Sequence, residues 1–425
     1  MIIHTVTKSE TVYSIAKMYG TTIRRLQNDN GLLSDQQLVV GQSLLILQPK
    51  TIYTVQQGDT IDNIAIRHAT NIRTILRNNP TLSVTQSIYP GQTIVIDYEG
   101  DKRAKILTNG YAYPNISEDS IEIVLPYLSM ITPFTYGIRS DGSLISPDDA
   151  VIRKMASEIK TSTVMHVSTL GEDDLFNSEL PGIIFLNPVS RRNLINNIVN
   201  QAVESGYKYI DIDFEFIPAS NAYAYADFIK DLRYEANKKE ISVIVALAPK
   251  SSDEQPGLLY EGHLYRELGE SADLVLLMTY EWGYTFGPPQ PVAPIDKVRE
   301  VVDYAITQIP TEKILLGIPN YGYDWNLPYE TGVSRAKTIS NVDAVRLADK
   351  YKQDIQYDST AQTPYFYYND SDDSRHVVWF EDARSILSKL NLISEFNLSG
   401  FSVWNVMNWF PALWLTANTI FEIKE

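Results

Sequence analysis

From about Lys105 the chain alternates short apolar runs with longer stretches whose apolar residues recur at helical spacing. The runs are KILTNGY, YLSMITPFTYG, TVMHVST, YKYIDIDFEF, ISVIVALAP, LVLLMTY, KILLGIPNYG and GFSVWNV. Strands separated by helices predict parallel pairing, and eight is the number that closes a (β/α)8 TIM barrel. In SRRNLINNIVNQAVESG, for example, Leu194, Ile195, Ile198, Val199 and Ala202 form one helical stripe. Ser190 is placed as its N-cap and Gly206 as its C-terminal stop. Between the last two runs, residues 325–380 are longer than a helix requires. DIQYDSTAQTPYFYYND and RHVVWF alternate aromatic and polar positions there, which predicts a small α+β insertion, antiparallel and set over the barrel mouth as a lid or cleft wall.

The first hundred residues follow another rhythm. Two stretches superimpose at an offset of 49, with Val6 on Val55, Thr11 on Thr60, Ile15 on Ile64 and Ile23 on Ile72. Each closes with a Gly-Gln turn and an apolar run, VGQSLLIL and PGQTIVI. The pattern predicts two β-α-α-β modules, over 1–48 and 51–98, ahead of a catalytic barrel over 103–425 with its insertion at about 326–380.

Composition narrows the class. The chain has 425 residues, 44% hydrophobic and 21% charged, as soluble globular proteins do. No apolar run approaches the ~18 residues of a membrane helix, so no span is expected. The opening MIIHTVTKSETVYSIA lacks a basic segment followed by an apolar core, and no signal peptide is expected. Absence of cysteine excludes disulfides and thiolate chemistry. Net charge is −16; residues 1–100 hold 8 Lys/Arg against 7 Asp/Glu, leaving 28 against 45 for the remainder. So acidic a body argues against nucleic acid as a partner. His4, His68, His166, His263 and His376 are dispersed and read as structural, so no metal and no cofactor is expected.

The sharpest chemistry lies in GYKYIDIDFEFI. Period two sends Ile210, Ile212, Phe214 and Phe216 to one face and Asp211, Asp213 and Glu215 to the other. In a barrel the second face is the lumen, normally filled with aliphatic side chains, so carboxylates there belong at the C-terminal mouth. Side chains two apart on a strand lie roughly 6.6 Å apart, and at an effective dielectric of ~20 two charges repel by about 2.5 kcal/mol. Such repulsion raises one carboxyl's pKa. Glu215 is the expected proton carrier, and a protonated acid beside a charged carboxylate suits glycosidic cleavage.

These motifs carry two resemblances. YTVQQGDT and PGQTIVI resemble LysM domains, which implies binding of glycans containing N-acetylglucosamine, with Gly58, Asp59, Thr60, Ile61, Asn79 and Pro80 as contacts. YIDIDFE, MTYEWG, IPNYGYDW and GFSVWNV resemble glycoside hydrolase family 18. That family's signature is D-x-x-D-x-D-x-E; Lys208 stands where its first Asp would be, which removes the usual support beneath the second. The resemblance implies a retaining, substrate-assisted hydrolysis. Glu215 would protonate the leaving oxygen, Asp213 coupled to Asp211 would orient the substrate's own 2-acetamido group, and Tyr280 would bond that group's carbonyl. Trp404, Trp282, Tyr321 and Tyr111 would form the sugar site.

Modules and barrel together, with YDSTAQTPYFYY and VVWFEDARSI, look like the cortex-lytic N-acetylglucosaminidases of spore germination. That resemblance implies peptidoglycan strands as partner, a location in the spore between coat and cortex, and a monomer. Two alternatives stay open: a LysM-anchored chitinase, and a non-catalytic glycan-binding coat protein.

Overall fold

The computed structural model describes residues 1–33, 36–83, 87–171 and 175–425. Eight strands form the barrel: β1 (Ala104–Ala112), β2 (Met130–Pro133), β3 (Ser162–Ser168), β4 (Tyr209–Asp213), β5 (Ser242–Leu247), β6 (Leu274–Leu277), β7 (Ile314–Pro319) and β8 (Gly400–Trp404). Each pairs in parallel with the next, and β8 pairs with β1 to close the ring. The terminal strand Phe421–Ile423 adds to β1 beyond the end of β8.

Two apolar populations separate across the strands, as alternation requires. Ile210, Ile212 and Phe214 point outward into a core shared with helix residues such as Ile198, Tyr225 and Phe228. Tyr111, Met130, Val164, Ile244, Leu276 and Leu315 fill the lumen. Phe216 departs from the expected face: β4 ends at Asp213, Phe216 turns to φ 57° and is 41% exposed, and Ile217 takes the buried place.

The helix after β3 runs Pro188–Ser205 and buries the five residues of the predicted stripe. Its N-cap is Asn187, whose side chain accepts from the N–H groups of Val189 and Ser190, not Ser190 itself. Proline at the first helical position explains the shift, since it needs no hydrogen-bond partner there. Gly206, at φ 76°, ends the helix in the left-handed conformation.

The insertion is a five-stranded antiparallel sheet, ordered Lys337–Ile339, Gly322–Leu327, Arg375–Trp379, Thr363–Asn369, Gln356–Asp358. It starts at Gly322, almost directly from β7, where a side chain would collide with the Trp379 carbonyl at 2.3 Å. Helix Asn341–Tyr351 covers one face through Ala344 and Ala348. The other face carries Tyr321, Tyr323, Trp325 and Val377, against which Tyr280 and Trp404 of the barrel pack, so the sheet walls the mouth.

Each N-terminal module is the expected strand, two helices and strand: Ile2–Thr5, Val12–Met18, Ile23–Asn30 and Ser43–Ile46, then Pro49–Thr54, Ile61–Arg67, Ile72–Asn78 and Thr93–Tyr98. Thr11 and Thr60 cap the first helices in reciprocal boxes with Ser14 and Asn63. Cores this small are marginal alone, and both modules dock on the barrel. Arg73 donates to the carbonyl of Leu128, and Arg77 to that of Pro126 at 3.2 Å and to Glu425. Those loop residues immediately precede β2, so the second module sits at the N-terminal end of the barrel, opposite the mouth. The first module is held by Ile355 donating to the Val40 carbonyl and Arg384 donating to that of Gly41.

Candidate active site

Asp211 and Asp213 point into the lumen from the last turns of β4, and Glu215 follows where the strand opens into its loop. Asp211 is 1% exposed and accepts from the Tyr111 hydroxyl at 2.6 Å. Pairing of β4 with β3 sets Asp211 beside His166 and Asp213 beside Ser168. His166 is fully buried, with Nε2 3.4 Å from Asp213 Oδ2 and 3.9 Å from Asp211 Oδ2. Its Nδ1 meets the Thr135 hydroxyl at 2.6 Å, and its ring stacks on Phe134. This histidine and tyrosine occupy the space beneath the acid pair, while Lys208 lies exposed before the strand.

Three influences raise the Glu215 carboxyl to about 8: burial first, then Asp213, then Glu281. Repulsion between alternate acids is thus a contributor, as strand spacing predicts, and burial adds the larger share. Asp211 is raised to about 6 by burial, against the lowering effects of His166 and Tyr111. The Phe214 carbonyl, on the residue before Glu215, is held by His263 Nε2 at 3.1 Å, whose Nδ1 accepts from the Ala248 N–H. Those two bonds assign the ring as neutral with its proton on Nε2, and burial pulls its pKa down to about 4.

Tyr280, past the end of β6, is half-buried at the mouth, and burial pushes its hydroxyl well above the ordinary range. Its ring has room because Gly317 carries no side chain; a Cβ there would lie 2.8 Å from Tyr280 Cε1. Trp404 ends β8 with its ring 5.4 Å from Tyr111 and 5.1 Å from Phe134, presenting a half-buried aromatic surface. Trp282 is half-buried in the loop after β6.

Two residues expected at the sugar are buried with their hydroxyls already engaged. Tyr111 is 3% exposed with its hydroxyl committed to Asp211, and Tyr321 is 6% exposed with its hydroxyl donated to Glu281. Two others were not singled out by sequence. Glu281, accepting from Tyr321 and from Tyr323 at 3.0 Å, completes the electrostatics around Glu215. A charge directly after Tyr280, where an apolar strand ends, was the available signal. His166 was read only as one dispersed histidine; its lumen-facing register in TVMHVST was the clue.

The expected LysM contacts are mostly engaged within their module. Asp59 accepts from Tyr53, the Gln56 N–H and Arg67, and Thr60 caps a helix beginning at Ile61. Gly58 forms the preceding turn at φ 85°. Asn79 is buried, donating to the Ile75 and Val95 carbonyls, whereas Gly58 and Thr60 are exposed and Pro80 borders open space.

A neutral carboxylic acid beside a second carboxylate, at the mouth of a parallel barrel and under an aromatic wall, is equipped to protonate a leaving oxygen. Residues 140–408 match the model of the glycosyl hydrolases family 18. The chain belongs to that family. Residues 4–47 and 53–97 each match the LysM domain. The family 18 chain is 41% identical to the cortical fragment-lytic enzyme of Bacillus subtilis (strain 168), over 100% of this chain and 99% of that one. It is 39% identical to a protein of the same name from Bacillus anthracis, over 96% of each. The crystal structure of the spore cortex-lytic enzyme SleL of Bacillus megaterium QM B1551 superimposes with a TM-score of 0.84, at 37% identity, covering 99% of this chain and 98% of that one. Among the described residues, no helix is long and apolar enough to cross a membrane.

Proposed function

We propose that this chain is a spore cortex peptidoglycan hydrolase, a retaining N-acetylglucosaminidase acting during spore germination. The observation that carries the chemistry is Glu215, held protonated near neutral pH at the barrel mouth by burial, Asp213 and Glu281. Similarity over the whole length to cortex-lytic enzymes, rather than to chitinases over the barrel alone, favours cortex over chitin. A monomer lying between coat and cortex fits this reading.

In the proposed reaction Glu215 donates its proton to the glycosidic oxygen as the bond to the anomeric carbon breaks. The sugar's 2-acetamido oxygen attacks that carbon from the opposite face, giving an oxazolinium ion. Asp213 faces the acetamido N–H, its negative charge stabilising the developing cation, while Tyr280 donates to the acetamido oxygen. Asp211, Tyr111 and His166 hold Asp213 from below. Glu215, now a carboxylate, takes a proton from water as it opens the ring, and configuration is retained. Trp404 floors the subsite and Trp282 lines its side.

Attack by an acetamido oxygen requires an unconstrained amide on the sugar whose bond breaks. Muramic-δ-lactam, a cortex sugar, has its nitrogen tied into a ring, so cleavage is expected on the reducing side of N-acetylglucosamine. Mass spectrometry of digested cortex fragments should find N-acetylglucosamine at the new reducing ends. Muramic sugars alone at those ends would overturn the assignment.

The surrounding charges make a second expectation. Glu281 raises the Glu215 carboxyl, so Glu281→Gln should let it ionise more easily. The alkaline fall of kcat/KM, expected near pH 8, should move to lower pH by up to about one unit. An unmoved limb would remove Glu281 from the electrostatics of the acid.

A further inference from the structure

Parallel pairing of β4 with β5 ends at Ile212 and Val245, and past that point a side chain from elsewhere in the chain stands between the two strands. It is His263, fully buried, which follows the short helix Leu258–Glu261. Its Nε2 donates to the Phe214 carbonyl at 3.1 Å, and its Nδ1 accepts from the Ala248 N–H at 2.8 Å. The imidazole thus takes the place of a ladder bond where the barrel opens into its mouth. Each ring nitrogen has one role, so the bridge needs the neutral ring protonated on Nε2.

A second contact lies one residue before the histidine. Gly262 packs so closely against Ile217 that a Cβ there would lie 2.1 Å from the Ile217 carbonyl oxygen and 2.5 Å from its Cβ. Phe214 and Ile217 are therefore both held by Gly262 and His263, and Glu215 and Phe216 lie between the two points. Phe216 has φ 57°, a conformation that a bulky residue seldom adopts unless its surroundings impose it. The histidine is itself anchored. Lys250 is 1% exposed, and its Nζ donates to the carbonyls of His263 at 3.2 Å and Asp253 at 3.3 Å. Burying an ammonium group is costly unless it is hydrogen-bonded, and here one of its bonds ties the loop after β5 to the backbone of the histidine.

We infer that His263, with Gly262, is a positioning residue for the reaction: the two clamp the backbone on either side of Glu215 and so fix where its carboxyl meets the glycosidic oxygen. Being fully buried, His263 reaches no substrate and acts through the backbone of Glu215. The inference therefore rests on Glu215 being the acid. Proton transfer needs the donor within hydrogen-bond reach of that oxygen, and a misplacement of about 1 Å is enough to cost about 10²-fold.

The test compares two amides at position 263 of the full chain. In His263→Gln the amide nitrogen reaches about as far as Nε2, so the bond to Phe214 is kept and that to Ala248 is lost. In His263→Asn the amide oxygen stands near the place of Nδ1, so the Ala248 bond is kept and the Phe214 bond is lost. Gly262→Ala presses on Ile217 without altering a polar group. Cleavage of soluble cortex fragments is measured at a temperature where thermal unfolding shows each variant folded. His263→Asn and Gly262→Ala are expected to lower kcat by about 10–10²-fold with KM within about twofold, and His263→Gln to be at least about fivefold faster than His263→Asn. The alkaline limb of kcat/KM should move to lower pH in the two slow variants, with the facing carboxylates Asp213 and Glu281 untouched. Burial is the largest cause of the raised Glu215 carboxyl, and a displaced side chain loses part of it. Parent kcat with an unmoved limb in either slow variant, or His263→Gln as slow as His263→Asn, would reduce the histidine to packing and overturn the inference. If His263→Asn does not fold, Gly262→Ala decides by the same two readouts. The catalytic reading is scored separately, by cleavage in the parent and its loss in Glu215→Gln.

Discussion

Glu215→Gln is expected to lower turnover of cortex fragments by about 10²–10⁴-fold while leaving the chain folded and able to bind glycan. The amide keeps the shape of the side chain but has no acidic proton to give to the leaving oxygen. It also cannot accept the proton of the incoming water, so both halves of the reaction fail together. The same substitution has a signature in stability. Glu215 holds its proton up to about pH 8 in the fold, whereas the unfolded side chain releases it near its ordinary value of 4.5. A raised carboxyl pKa favours the fold at low pH, and that contribution is lost as pH rises from about 4.5 through 8. Gln removes this loss, so thermal unfolding should show the variant level with the parent at pH 4 and more stable at pH 9. A variant that cleaves at the parent rate would dismiss Glu215 as the acid. Equal melting at pH 9 would dismiss the raised pKa.

The barrel was legible because its strands are short, apolar and evenly separated, and each of the eight runs overlaps an observed strand. The acid face was legible because Asp211, Asp213 and Glu215 break a lumen pattern that aliphatic residues otherwise keep. Phe216 was misplaced because alternation was carried past the end of β4, where a left-handed turn redirects the chain. Local sequence does not mark that turn, and Ile217 just beyond it packs closely against Gly262, distant in the chain. His166 and Glu281 were missed for a related reason. Their roles come from parallel pairing across strands and from tyrosines in the inserted sheet, contacts with no footprint in local spacing. Tyr111 and Tyr321 show the converse: an aromatic in a strand motif can be recognised, but which layer its hydroxyl reaches is a tertiary fact.

The LysM modules give the same lesson about interfaces. Their internal caps and cores follow from the repeat, whereas the junction between them, where Arg25 donates to the Tyr98 hydroxyl and Leu45 and Leu47 pack with Val95, is a tertiary contact. Docking through Arg73, Arg77 and Arg384 fixes the modules to the barrel rather than leaving them on a tether.

The second large effect concerns the sugar rather than the protein. If the acetamido oxygen is the attacking atom, a substrate with that nitrogen deacetylated loses the nucleophile, and no side chain replaces it. Asp213 is placed to orient the group, not to attack in its stead. Rates should therefore be measured on paired soluble fragments that differ only in acetylation of the glucosamine at the scissile bond. Loss of at least about 10³-fold in kcat/KM on the deacetylated fragment is expected, a loss comparable to that from removing an oriented intramolecular reactant. Comparable rates on the two fragments would contradict substrate assistance, and with it the roles given to Asp213 and Tyr280.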